Sequence, residues 1–453
     1  MSVAIVLFTA DLRLHDNPVL HAAVRGAERV VPLFVYDDGV RAAGFDAPNR
    51  RAFLADCLAD LDAGLRARGG RLVVRSGDVV AQVCAVVAET GARRVHVAGG
   101  PSRYAVRREA ALRAALAGAG CALTVHDAVV TALAPGAVTP AGGDHYAVFT
   151  PYFRRWTQEG VRDVVPAPRR VPVAEVGSEP PLPRAKITGT SPGLAEGGET
   201  AGRKRLRAWL KDGLPGYEAG HDDLAGDATS RLSPFLHFGA LSAAELVQLA
   251  RHEGSPGADA FVRQLAWRDF HHQVLAARPD AASADYRDRG DRWRHDEREL
   301  AAWRAGRTGY PLVDAAMRQL AHEGWMHNRG RMLAASFLTK TLYADWRVGA
   351  RHFLDLLVDG DIANNQLNWQ WVAGTGTDTR PNRVLNPVTQ GKRLDPRGTY
   401  VRRWIPELAE VEARHIHEPW RLPAAELAAT GYPGPVVELA EGRERFERAR
   451  GGG

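Results

Sequence analysis

"VAIVLF", residues 3–8, is six consecutive apolar residues with no polar face. A strand with one side on water alternates apolar and polar residues, so this run predicts a strand covered on both faces, as in a parallel sheet between layers of helix. The same reading extends outward to "RVVPLFVY" (29–36), "RLVVR" (71–75), "RVHVAG" (94–99) and "CALTVHD" (121–127), with Ala/Leu/Arg stretches of helical period between them. Short buried strands alternating with helices predict a doubly wound βαβ domain over residues 1–130. Such sheets take ligands beyond the carboxyl ends of their strands, which nominates the loops "TADLR" (9–13), Asp37-Asp38 and "AGGPSRY" (98–104). None of them carries GxGxxG or GxxxxGK[ST], so the usual dinucleotide and triphosphate fingerprints are absent.

Residues 165–202 contain seven prolines and no sustained period. That composition predicts a connector, assigned to 131–201, running over the surface as a linker and not as core. Beyond it the pattern turns helical, at 202–213, 242–253, 261–279, 311–324, 326–343 and 348–360, which predicts an all-helical domain over 202–453. Ser242 and Glu245 have capping-box spacing, and Leu206, Trp209 and Leu210 form an apolar stripe. A chain of 453 residues is long enough for such a division. Three cysteines without CxxC spacing read as buried apolar residues and predict neither a disulfide framework nor a metal site. The first residues lack a basic signal-peptide region and no run approaches a membrane span, so a cytoplasmic protein without membrane contact is expected. A net charge of +6 permits a polyanionic partner without requiring one.

Two motifs carry chemistry. In "DGDIANNQLNWQW" (359–371), Asp361, Asn365 and Trp369 are spaced i, i+4, i+8 and share one helix face, while Trp371 points nearly the opposite way. Read structurally, the acids and amides solvate a helix end and the indoles fill core. Read functionally, the face is a stripe of donors and acceptors for a planar heteroaromatic ligand, with Trp371 turned to a second cavity. In "GDATSRLSPFLHFG" (226–239), Thr229, Ser230 and Ser233 precede a helix opening at Pro234, with Arg231 between them, an arrangement suited to phosphate. Ser233 alone would be only an N-cap. "HEGWMH" (322–327) spaces its histidines five apart, on different helix faces, and is not a zinc motif. "GTGTD" (374–378) is a turn. Ten of the eleven tryptophans lie beyond residue 200, so that half either uses indole chemically or has the larger core.

"TSRLSPFL", "FVRQLAWRDF", "GYPLVDAAMRQLAHEGWMHNRGRMLAASFLTKTL" and "DGDIANNQLNWQWVAGTGTD" together resemble the cryptochrome/photolyase family, specifically its class I cyclobutane pyrimidine dimer photolyases. The likeness runs almost continuously from about 200 to 420, and "FTADLRLHDNPVL" (8–20) resembles the family's amino-terminal signature. It implies an antenna-binding α/β domain, a connector and a helical FAD-binding domain. By that resemblance Tyr217, Thr229, Ser230, Arg231, Leu232 and Ser233 hold the flavin's phosphates and ribityl chain, with Phe261 near the adenine. Asp359 and Asp361 secure the flavin end, Arg331 pairs with an acid there, and Asn365 stands against flavin N5. Trp369, Trp346 and Trp293 match the electron-relay chain. Trp267, Arg268, Asn328, Arg329, Met332 and Trp371 match the site that receives a dimer flipped out of UV-damaged DNA. The implied activity is light-driven repair by electron transfer from reduced FAD in a monomeric enzyme.

The chain departs from the pattern at Gln264, where dimer photolyases carry Glu and the (6-4) branch carries Gln. Asn328 and Met332 follow the dimer branch. The loop after "TGTD" reads "TRPNRVLNP" in place of the usual "PYFRIFNP", and His221 replaces a DNA-contacting Arg. "SRYAVRREA" (102–110) lacks the Asn-Glu pair of methenyltetrahydrofolate-binding members, and Arg50 aligns with an Arg of the 8-hydroxy-5-deazaflavin pocket, which makes the deazaflavin the expected antenna and the folate the alternative. Two other functions compete: a photosensory cryptochrome with the same flavin, and a basic nucleic-acid-binding module without light chemistry, which would leave the Asp/Asn/Trp stripe without a purpose.

Overall fold

The computed structural model describes residues 2–450. The chain divides into two compact units, one made of residues up to Thr190 with Ala195–Pro215 and Ser230–Pro279, the other of Ser191–Leu194, Gly216–Thr229 and everything from Asp280 on.

In the first unit, β1 (Val3–Phe8), β2 (Arg29–Asp37), β3 (Val73–Gly77), β4 (Arg94–Ala98) and β5 (Ala122–His126) form a parallel sheet in the order β3-β2-β1-β4-β5. β1 is central, with Ala4 beside Val30 on one flank and Arg94 on the other. Its side chains alternate in direction yet Ile5, Val6, Leu7 and Phe8 are all buried, so both faces are covered, as the continuous apolar run requires. Each such side chain stabilises the fold by about 1.5–3 kcal/mol. The longer intervening helices are α1 (Pro18–Gly26), α2 (Pro48–Arg66), α3 (Val79–Thr90) and α4 (Arg103–Gly118). Val83 and Val86 of α3 and Leu112 and Leu116 of α4 join Ile5 and Leu7 in one core.

Two expectations change here. The Pro-rich stretch is irregular, but it is not merely a surface linker: Ala174 and Val176 belong to the sheet's core, and Val173 forms a parallel bridge with Val30. "TADLR" is not an open crevice loop either. Asp11, Leu12 and Arg13 are buried, and the Arg13 guanidinium donates to the carbonyls of Asp16, Val129 and Gly239. Gly239, at φ 65°, lies so close to this loop that a Cβ would fall 1.9 Å from the Ala10 carbonyl oxygen. The carboxyl end of β2 and the first turn of α4 do meet, through a hydrogen bond from the Tyr104 hydroxyl to Asp37.

The unit also contains α5 (Phe149–Trp156), α6 (Glu199–Ala208), α7 (Ala243–Glu253) and α8 (Pro256–Ala277). Ser242 caps α7 by accepting from the Glu245 N–H. The capping box is only half formed, because the Glu245 carboxylate instead binds Arg203 at 3.0 Å and His15 at 3.2 Å. Leu206 and Trp209 are buried as the stripe predicts. Cys57 and Cys121 are buried and Cys84 is half-buried.

The second unit is helical. Its helices include α9 (Pro311–Glu323) and the site-bearing α10 (Asn328–Ser336), α11 (Trp346–Leu356) and α12 (Ile362–Ala373), with α13 (Leu439–Arg450) near the carboxyl end. The helix expected over 326–343 is shorter: α10 passes into a single π turn at Phe337–Thr341, and Tyr343 then takes φ 55°, which stops it. Trp303, Trp346, Trp369, Phe337 and Phe353 share one core. Among the described residues no helix is long and apolar enough to cross a membrane.

Candidate flavin and electron-transfer site

Asp361 caps α12, accepting from the Asn364 N–H at 2.8 Å. The spacing read from the sequence then becomes contact. Asn365 donates to the Ala350 carbonyl at 3.0 Å, and the Trp369 ring lies against Gly349, so both meet α11. A Cβ on Gly349 would fall 2.2 Å from Trp369 Cη2, so glycine there is what lets the indole approach the helix. Asn365 gives its other amide hydrogen to Gln366 Oε1 at 2.8 Å, and Gln366 is itself anchored to the Ala282 carbonyl at 2.9 Å. Trp371 is half-buried.

Just before the helix, Asp359 takes the Arg331 guanidinium on both oxygens, at 3.1 and 2.8 Å. This is the acid that Arg331 was expected to find.

Trp346 is the first residue of α11 and, three before Gly349, lies on the same face of the helix. It is fully buried, and its Nε1 donates to Asp285 Oδ1 at 2.8 Å. Arg347 also donates to Asp285, at 2.8 Å, and its guanidinium carbon lies 4.8 Å from the centre of the Trp346 ring. Trp293 is half-buried. Exposure therefore rises from the buried Trp369 and Trp346 to Trp293.

In α10, Asn328 is exposed and its Nδ2 lies 3.8 Å from the Met332 sulfur one turn on. Arg329 is not a free cation for phosphate: Asp222 binds its Nε and Nη2 at 2.6 and 2.7 Å. Burial alone would raise the Asp222 carboxyl, but the Arg329 hydrogen bonds and charge prevail and hold it below the ordinary carboxylate range. Tyr217 is buried, and that burial pushes its phenol up to about 12. Thr229 Oγ1 is buried without a hydrogen-bond partner. Asp227 and Arg231 both have positive φ, 49° and 52°, so non-glycine residues hold a strained turn on either side of it.

The first unit carries the remaining candidates. The Ser230 carbonyl accepts from Arg205 at 2.7 Å, and its hydroxyl accepts from the Leu232 N–H at 3.3 Å. Ser233 is not the cap of the following helix: it is the first residue of the short segment Ser233–His237, Leu232 stands at the cap position, and no side chain makes the cap bond. Phe261 is buried, its ring 5.7 Å from Trp209. Gln264 is exposed. Trp267 stacks on Phe149 at 3.7 Å with 7° between planes, and Arg263 lies 5.1 Å over Phe149. Arg268, one residue on, spends two of its nitrogens on the carbonyls of Val130 at 2.7 Å and Leu236 at 3.3 Å. Arg50 is buried, donates to the Phe45 carbonyl through two nitrogens and lies 4.4 Å over the Phe45 ring.

Asp285, Asp222, Gly349 and Phe149 went unread in the sequence. Asp285 is 61 residues from Trp346 and Asp222 is 107 from Arg329, distances over which spacing carries no signal.

The model described as "DNA photolyase" matches residues 4–172, and that described as "FAD binding domain of DNA photolyase" matches residues 261–451. Along all 453 residues, covering 100% of both chains, the protein is 71% identical to the deoxyribodipyrimidine photo-lyase of Streptomyces griseus. This chain belongs to the DNA photolyase family. Among solved structures it is similar to a class III photolyase from Agrobacterium tumefaciens, with TM-score 0.93 and 34% identity, covering 100% of this chain and 97% of the other. It is also similar to a Synechocystis cryptochrome, with TM-score 0.90 and 30% identity over 99% of each.

The photolyase-family residues fit a flavin. The Thr229 hydroxyl, buried and unpartnered, suits a ligand oxygen. Asn365 commits both amide hydrogens to the protein, so the group it has to offer is its carbonyl oxygen, an acceptor for a ligand N–H.

Proposed function

We infer that this chain is a light-driven DNA repair enzyme, a deoxyribodipyrimidine photo-lyase, that splits cyclobutane pyrimidine dimers. The observation that carries the reading is identity of 71% to a protein of that name from end to end. When bound and reduced, FAD supplies a light-excited one-electron donor that recovers its electron after the ring has opened. Tyr217, Thr229, Asp359 with Arg331, Asp361 and Asn365, all in the second unit, are its holders. The Asn365 carbonyl would accept a hydrogen bond from a bound flavin, which would favour the N–H of the reduced form over the bare nitrogen of the oxidised one. Trp369, Trp346 and Trp293 relay electrons, and Asp285 steadies positive charge on Trp346 through its indole N–H.

A dimer drawn out of the duplex loses its stacking, and aromatic walls offset that loss. Trp371, Asn328 and Met332, all in the second unit, serve the lesion. Arg329 and Arg268 act mainly by holding their own surroundings, since Asp222 and backbone carbonyls engage them. Asn328 and Met332 support a place in the class I dimer branch, and Arg50 supports 8-hydroxy-5-deazaflavin over methenyltetrahydrofolate as antenna. The enzyme works as a monomer in the cytoplasm.

The test is blue-light repair of a defined thymine dimer in a short strand by the photoreduced protein, with a dark control and a (6-4) lesion alongside. Recovery of thymine absorbance on the lit dimer is expected. Repair of the (6-4) lesion alone would make Gln264 the deciding residue, and repair of neither would turn the reading to a photosensory cryptochrome. Chromophore extraction and absorbance identify the antenna.

A further inference from the structure

Trp293 and Tyr343 lie ring to ring, with centroids 5.0 Å apart and planes at 43°. The backbone builds this pair. The Arg294 N–H donates to the Tyr343 carbonyl at 2.9 Å, within an isolated parallel bridge between Arg294 and Ala344. Tyr343 is held at φ 55°, a conformation that costs a non-glycine residue on the order of 1–3 kcal/mol. Its side chain is buried, and its hydroxyl donates to Asp291 Oδ1 at 2.8 Å. Asp291 is in turn gripped through both oxygens by Arg450 of α13, whose guanidinium carbon lies 5.9 Å from the centre of the Trp293 ring. A phenylalanine would fill the same space without a buried phenol and a buried carboxylate to satisfy, so packing alone does not account for the arrangement.

We propose that Tyr343 is the electron donor next after Trp293, with Asp291 as the acceptor of its proton. The proposal rests on the reading of Trp369, Trp346 and Trp293 as an electron relay. The oxidant is a light-excited oxidised flavin, acting through those three indoles. One electron passes from Tyr343 to the Trp293 radical cation, which returns to neutral tryptophan. The phenolic proton passes along the existing hydrogen bond to Asp291 Oδ1, leaving a neutral tyrosyl radical and a protonated carboxyl. Arg450 drives the hole in this direction, because a guanidinium facing the indole disfavours a second positive charge on it. Burial and the neighbouring Asp291 carboxylate push the Tyr343 phenol up to about 12, so the proton is in place at rest.

The experiment excites the holoprotein, flavin oxidised, with a blue pulse and follows the organic radicals by transient absorption and electron paramagnetic resonance, in H2O and in D2O. A tryptophanyl signal that converts to a tyrosyl signal, more slowly in D2O, is expected. Tyr343→Phe, which keeps the ring contact, should remove the tyrosyl signal and prolong the tryptophanyl one severalfold. Asp291→Asn should retain the tryptophanyl signal and delay the tyrosyl one. A tyrosyl signal that persists in Tyr343→Phe, or a wild-type tryptophanyl radical that never converts, overturns the proposal and leaves the relay standing. Absence of any tryptophanyl radical in the wild type brings down the relay and the proposal together. Should the variants fail to hold flavin, the wild-type protein decides: equal conversion rates in H2O and D2O overturn the proton step.

Discussion

Arg331 meets Asp359 as a fork on a fork, Nη1 to Oδ1 at 3.1 Å and Nη2 to Oδ2 at 2.8 Å, while its Nε holds the Met326 carbonyl at 2.8 Å. The Asp359 side chain is 3% exposed and Arg331 26%, so removing the arginine strands a buried carboxylate. Arg331→Ala is expected to cost about 3 kcal/mol of stability. Flavin content after purification should fall with it. Urea unfolding followed by tryptophan fluorescence, with flavin absorbance on the same samples, checks both.

Gly349 tests the contact between α11 and Trp369. In Gly349→Ala the new methyl group would meet Trp369 and also Leu338 Cδ2 at 2.5 Å, contacts that need the indole or the helix to move. Overpacking of this kind costs about 1–3 kcal/mol. The melting temperature should drop, and photoreduction of the oxidised flavin should slow as Trp369 is displaced.

Trp371 and Trp346 separate the two uses of indole. Trp371→Ala is expected to weaken binding of a dimer-containing strand by about 1–3 kcal/mol and to leave flavin content unchanged. Trp346→Phe should leave binding unchanged and abolish light-driven reduction of the oxidised flavin, while protein reduced chemically beforehand repairs at the wild-type rate. Fluorescence titration with the damaged strand and photoreduction kinetics read the two effects.

His327 gives the second unit an acid-sensitive point. Its Nδ1 caps α10 by accepting from the Arg329 N–H at 3.1 Å, and burial, with Asp227 and Asp222 pulling the other way, takes the ring down to about 4 from 6.5. Between those values the unfolded chain binds a proton that the native ring does not, so this group's contribution is present above pH 6.5 and is lost as pH falls towards 4. Asp269 in the first unit works in the opposite sense: burial raises it to about 6 from 3.8, so its contribution shrinks as pH rises through that window. The comparison therefore has to be between variants. His327→Asn keeps a capping oxygen and removes the titration, and its unfolding free energy, measured from pH 4 to 7, should fall less steeply towards acid than that of the wild type.

By itself the sequence determined what is local and periodic. "VAIVLF" specifies a strand buried on two sides because no alternation is left in it, and Asp361, Asn365 and Trp369 share a face because a helix returns every 3.6 residues. The Ser242 cap is legible for the same reason, as are the turn at "GTGTD" and the two fold classes. Tertiary structure alone decided which charges are free and which are spent. Arg329 reads as a phosphate contact until Asp222, 107 residues away, takes its guanidinium, and Arg268 until the Val130 carbonyl, 138 residues away, does the same. "TADLR" looks like an open loop until Phe238 and Gly239 close over it. Ser242 and Glu245 read as a reciprocal box until Arg203 and His15 claim the carboxylate. In each case a strong polar group satisfies itself with whichever partner packing brings within about 3 Å, and no local pattern encodes a partner that only the folded chain supplies.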